Sequence, residues 1–170
     1  AVWGPKRLKG RGRFFGTDLI TYAPLQTFDE LEKDEKSAMS PKSVVFPPDE
    51  TLFHFTGDQF SEPPLEDGRE TIVFLRPCDI NGFRRLDAMF LENGGTPDPF
   101  YRRRREKLHF FMIECRESFE NCFCVSMGSN ATDNYAAAFR FGEDSVEVEV
   151  KDPRFAQDFS SGAPSDFATE

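Results

Sequence analysis

The sequence predicts an α/β or α+β fold: a mixed sheet with a parallel βαβ core and a C-terminal β-hairpin. Three observations carry this. Thr71–Leu75 is a continuous apolar, β-rich run, the pattern of a strand buried on both faces. A stretch with helical periodicity separates it from a second apolar run, Leu108–Ile113, so the two strands are expected to be parallel neighbours joined by a right-handed crossover. Further on, Val146, Val148 and Val150 alternate after Gly142-Glu143-Asp144, which reads as a hairpin between strands at 136–141 and 145–151. A chain of 170 residues is long enough for one domain with a real core. That domain is expected over 1–155, with 156–170 as a disordered tail.

Residues 1–40 carry little hydrophobic periodicity and are punctuated by Gly4, Pro5, Gly10, Gly12 and Gly16. A helical turn is expected over 28–31, with Thr27 as N-cap and Glu30 at the capping-box spacing. Residues 43–46 look strand-like and stop at Pro47-Pro48, and 51–56 alternate as a short strand. The prolines and acids of 61–68 mark a loop. After Thr71–Leu75, Pro77 ends the strand and Asp79 is placed to cap a helix. Its apolar residues Ile80, Phe83, Leu86, Phe90 and Leu91 share one face, and Asn93-Gly94-Gly95 supplies the stop. A second helix is expected over 99–107, capped by Asp98 with Pro99 at its first position.

Composition narrows the function classes. Twenty of the aromatic residues are Phe, against 3 Tyr and 1 Trp, so the core must be built largely from phenyl rings. The net charge of -9 argues against general nucleic-acid binding, which depends on Lys and Arg displacing counterions. No apolar run approaches the ~18 residues that span a bilayer. Two local basic stretches run against the acidic balance: Lys6, Arg7, Lys9, Arg11 and Arg13, and the run Arg102 to Arg105. They read as solvated faces or as docking sites for an acidic partner. Four consecutive arginines on a helix spread over ~300°, so at least two guanidinium groups should be exposed.

Cys78, Cys115, Cys122 and Cys124 are the chemistry-bearing set. Cys78 follows the first predicted strand by three residues and Cys115 follows the second by two, and ligand sites in parallel sheets form outside such C-terminal strand ends. The loop after Cys115 brings Cys122 and Cys124 within reach, so the four are expected to converge. Soft thiolates select zinc, copper(I) or iron–sulfur clusters. Structural zinc usually uses paired Cys-x₂₋₄-Cys knuckles, which this spacing lacks. An iron–sulfur cluster tolerates the irregular spacing better, and four unrelated thiols remain an alternative. Arg76, beside Cys78, is expected to lower its thiol pKa and to offset cluster charge. His54 and His109 read as ordinary strand histidines.

The segments Phe74-Leu75-Arg76-Pro77-Cys78-Asp79-Ile80-Asn81-Gly82, Arg85-Leu86-Asp87 and Phe90-Leu91-Glu92-Asn93-Gly94-Gly95 resemble the iron–sulfur electron-transfer subunit of anaerobic sulfite reductase. Glu114-Cys115, the run Asn121-Cys122-Phe123-Cys124-Val125-Ser126-Met127-Gly128 and Thr132-Asp133-Asn134-Tyr135 extend the likeness, as do Phe46-Pro47-Pro48 and Glu50-Thr51-Leu52-Phe53. The β subunits of cytoplasmic sulfhydrogenases share the Arg-Pro-Cys-Asp and Cys-Phe-Cys elements.

The resemblance implies a cytoplasmic electron-transfer subunit carrying a [4Fe–4S] cluster on Cys78, Cys115, Cys122 and Cys124. Its implied partners are flavin-containing and sirohaem-containing subunits, in a complex that reduces sulfite to sulfide, with neither nucleic acid nor membrane involved. Members of that family also carry a dicluster ferredoxin region after this domain. No Cys follows Cys124 and no Cys-x₂-Cys-x₂-Cys run exists here, so the expectation is a piece of a longer subunit, not catalytic alone. A non-catalytic docking domain or a zinc-binding scaffold is the alternative function.

Overall fold

The computed structural model describes residues 1–63 and 69–162. Ten regular elements follow in chain order: β1 (Val2–Leu8), β2 (Leu19–Pro24), β3 (His54–Thr56), β4 (Gln59–Ser61), β5 (Thr71–Leu75), α1 (Pro77–Asp87), α2 (Pro99–Arg105), β6 (Leu108–Ile113), β7 (Ala137–Phe141) and β8 (Val146–Val150). Six strands form one sheet in the order β2-β1-β5-β6-β7-β8, and β3 with β4 makes a separate antiparallel ribbon. Within the main sheet β1, β5, β6 and β7 are mutually parallel, while β2 and β8 close the two edges antiparallel. The predicted class holds, and β5 pairs with β6 in parallel register from Thr71↔Leu108 to Leu75↔Met112.

Strand alternation sorts the apolar residues into two cores. Val73, Leu75, Phe110 and Met112 face α1 and α2, where they meet Ile80, Phe83, Leu86 and Tyr101. Phe74, Phe111 and Ile113 point to the opposite face and join Leu31, Phe139 and Phe141. Phenyl rings supply half of the buried residues of this second core. Phe111 meets Phe155 edge-on with ring centres 5.1 Å apart, and Phe139 meets Phe159 at 5.6 Å. The segment 153–162 therefore lies against the sheet as a series of turns. Residues 163–170, the rest of the expected tail, are outside the described residues.

Both helices start on proline. Pro77 occupies the first turn of α1, where a missing N–H costs nothing, and Arg76 is the N-cap; Asp79 sits inside the first turn and makes no cap. α1 passes into a π-helical turn over Ala88–Glu92 and stops at Asn93, followed by Gly94 and Gly95 at φ 120° and 80°. In α2, Asp98 Oδ1 accepts from the amides of Phe100 and Tyr101, the expected cap. Arg102 is exposed and the Arg103 side chain keeps 40% of its surface, so two guanidinium groups face water as their spacing demands. Arg103 pairs with Glu62, Arg104 with Glu50, and Arg105 with Asp87.

Several sequence expectations are corrected. The stretch 1–40 contains β1 and β2, two strands of the main sheet. β1 lacks a clean apolar alternation because backbone, not side chain, fills its buried middle: a Cβ on Gly4 would lie 2.7 Å from Leu31 Cδ1 and 2.9 Å from Leu25 Cδ1. Residues 43–46 do not form a strand; Pro41–Val44 is a 3₁₀ turn, with Lys42 O accepting from the amides of Val45 and Phe46. The turn at Phe28–Glu30 forms, yet the Thr27 side chain makes no cap bond. Glu30 instead accepts from the amide of Gln26 and pairs with Lys6 at 2.8 Å. The strand expected over 51–56 is reduced to His54–Thr56, and 64–68 of the predicted 61–68 loop are outside the described residues.

Part of the basic N-terminal stretch is neutralised within the chain. Arg7 Nη2 reaches Glu32 at 2.7 Å and Glu35 at 2.6 Å, tying β1 to the segment that follows the Phe28–Glu30 turn. Burial alone would raise the Glu32 carboxyl, but Arg7 and the amides of Asp34 and Glu35 outweigh it and hold the group below its ordinary 4.5. A carboxyl whose folded pKa is depressed stabilises fully above its unfolded value, and that contribution is lost as pH falls through the folded value. Denaturant midpoints taken from pH 6 down to pH 3 should therefore fall, and Glu32→Gln should flatten the decline. An equal decline in Glu32→Gln would contradict the role.

Candidate functional site

The parallel pairing of β5 and β6 brings both of their C-terminal ends to the same edge of the sheet. Cys78 emerges there in the first turn of α1, directly after Arg76 and Pro77. Cys115 follows β6 by two residues. The connection 114–136 then returns the chain from β6 to β7, again parallel, without a regular helix. Cys122 and Cys124 sit in its turns. All four cysteines line one cleft of about 630 Å³. Cys78 and Cys115 are exposed and Cys122 and Cys124 half-buried, none of them in a disulfide.

The returning loop is held by specific bonds. Asn81, on α1, donates from Nδ2 to Ser129 O at 3.2 Å and to Ala131 O at 2.9 Å, fastening the loop to the helix that carries Cys78. Cys124 O accepts from the amides of Met127 and Ser129, and the Cys122 amide donates to Phe119 O. Asn121 adopts φ 63°, a left-handed conformation that Asn tolerates better than most residues, and Gly128 turns at φ 61°. Sequence reasoning includes Asn81 in a motif but gives it no role. A short amide on the first helix after a Cys-bearing turn is the signal that could have found it.

Charge around the thiols is unevenly distributed. Although Cys78 is exposed as a residue, desolvation of its sulfur, with the Asp79 carboxylate and then Cys115 and Cys124 as neighbouring negative groups, pushes the thiol up to about 11. The sequence expectation that Arg76 lowers this thiol is corrected: its side chain turns away and reaches Cys115 instead, with Nη1 donating to Sγ at 3.4 Å. Burial also raises the Asp79 carboxyl, opposed by the hydrogen bond it accepts from the Tyr22 hydroxyl at 3.0 Å. Glu114, at the cleft wall, is held by Arg140. His54 is exposed on β3, and His109 is buried with Glu70 and Arg154 as partners, so neither lies in the cleft.

The donor set fits a thiophilic group: four cysteines from two chain segments line one cavity, with a cation against one of the sulfurs. Among the described residues, no three His, Cys, Asp or Glu side chains close to the spacing of a single bound ion. An α/β domain with a four-cysteine cleft at its parallel strand ends is the class that fold and site define.

The chain is related to sulfhydrogenase beta subunits: it is similar to Sulfhydrogenase 2 subunit beta of Pyrococcus furiosus (strain ATCC 43587 / DSM 3638 / JCM 8422 / Vc1), at 31% identity over 129 residues. That match covers 73% of this chain and 37% of the relative, so the chain spans little more than a third of the length of the protein it matches. No family model and no solved structure matches it.

If Asn81 fastens the loop to α1, Asn81→Ala should lower global stability by ~1–3 kcal/mol. It should also speed amide exchange selectively across 115–132. Unchanged exchange in that segment would contradict the assignment.

Proposed function

We propose that this chain is the cluster-bearing domain of an iron–sulfur electron-transfer subunit in a cytoplasmic oxidoreductase complex, with Cys78, Cys115, Cys122 and Cys124 holding one [4Fe–4S] cluster. The observation that supports this most is the arrival of all four cysteines in one cleft from two separate segments, the start of α1 and the connection 114–136. The relative's printed name, a sulfhydrogenase beta subunit, fits a redox subunit of a larger assembly. Among the described residues no helix is long and apolar enough to cross a membrane.

Bound there, a cluster would supply one-electron oxidation and reduction. The chain's own part is to hold four deprotonated sulfurs, to set the local charge with Arg76, and to fix the loop through Asn81. The proposed setting is an anaerobic sulfite reductase, in which electrons arrive from a flavin-containing subunit. They leave toward a sirohaem-containing subunit that reduces sulfite to sulfide. The second reading, a docking or zinc-binding scaffold, draws on the exposed Phe123, Val125 and Met127 that share the loop with Cys122 and Cys124.

Elemental analysis of anaerobically purified protein separates these readings. About four irons and four sulfides per chain, with an EPR signal on reduction that is lost in Cys122→Ser or Cys124→Ser, is the expected result. One zinc per chain, with stability lost on chelation, would favour the scaffold. Metal-free protein whose stability ignores chelator would leave docking as the function.

A further inference from the structure

We infer that Arg76 is a positioning residue that donates to the Cys115 sulfur of the bound cluster and raises its reduction potential; the inference rests on the cluster reading above. Arg76 is 7% exposed although it carries a full charge. Its guanidinium is fixed on three sides. Nη2 donates to Lys33 O at 2.9 Å and to Glu35 O at 3.4 Å, the group lies 4.4 Å over the Phe119 ring, and Nη1 points at Cys115 Sγ.

Other arginines of the chain mark the contrast. Arg7, Arg103, Arg104, Arg105, Arg140 and Arg154 each pair with a carboxylate. Among the described residues, the direct polar partners of Arg76 are two neutral carbonyls and a sulfur. Asp79 acts on Arg76 through space without touching it; a buried cation with no anion in contact is expensive, and carbonyl dipoles offset only part of that cost. The sulfur is the one partner that can become an anion. A ligating thiolate therefore completes the charge balance of this arginine, and the arginine stabilises negative charge on the group that the thiolate holds.

Lysine would not reproduce the arrangement. Stacking on Phe119 while serving two carbonyls and a sulfur needs a planar fork with several donors. Hydrogen bonds to cluster sulfurs and local net charge are among the factors that set cluster potentials. Reduction adds negative charge beside Arg76, so the cation favours the reduced state.

The test uses the chain purified anaerobically with its iron. In Arg76→Gln, with iron per chain retained, the ratio of reduced to oxidised cluster at a fixed applied potential should fall about tenfold, which is ~59 mV to the negative for a one-electron couple. Arg76→Lys, which keeps the charge, should shift less. Full iron with an unchanged potential in Arg76→Gln overturns the inference and leaves the cluster reading intact.

Should Arg76→Gln fail to fold or to load iron, the wild-type chain decides. With nitrogen-15 arginine incorporated, pulsed EPR of the reduced cluster should detect a nitrogen-15 coupling, and its absence overturns the inference. A chain that binds no iron overturns both readings together.

Discussion

Parallel pairing of β5 with β6 is the constraint on which the rest of the site depends. Because the two strands run the same way, the turn into α1 and the turn after Ile113 leave from one edge of the sheet, and with them Cys78 and Cys115. β7 extends the same constraint. It too is parallel, so the chain must travel back along the sheet after β6, and the irregular connection that does so carries Cys122 and Cys124 past the first two thiols. An antiparallel neighbour would have needed only a tight turn and would have left no room for this loop.

The same alternation that places the cysteines also divides the Phe-rich composition. β5 and β6 are buried on both faces, one covered by α1 and α2 and the other by Phe28, Phe155, Phe159 and the rings of β7. Other phenyl rings remain on the surface, on the β3–β4 ribbon and on the β1–β2 connection. A Phe-rich composition thus serves core and surface alike. The basic residues are similarly divided: Lys6 and Arg7 are used internally, while Lys9, Arg11 and Arg13 remain in or beside an exposed turn.

The central βαβ unit was legible because its signals are local and redundant. TIVFL, the helical spacing from Ile80 to Leu86, Asp98-Pro99 and the Val alternation of β8 each point one way. β1 was not legible, since Gly4 and Pro5 occupy buried positions where a pattern search looks for apolar side chains. Residues 43–46 misled because two valines outweighed the turn-starting Pro41. The placement of the four cysteines around one cleft was legible from strand ends, but the direction of Arg76 was not. Sequence adjacency suggested Cys78, whereas the N-cap geometry of α1 turns the arginine toward the next strand.

The four cysteines, their loop and the buried arginine line one cleft, for which one iron–sulfur cluster is the proposed occupant. Iron-edge anomalous diffraction from crystals grown without oxygen tests that claim most directly. The account predicts a single compact iron cluster bonded to the sulfurs of Cys78, Cys115, Cys122 and Cys124. Iron held by other residues, or a zinc ion in its place, would contradict it.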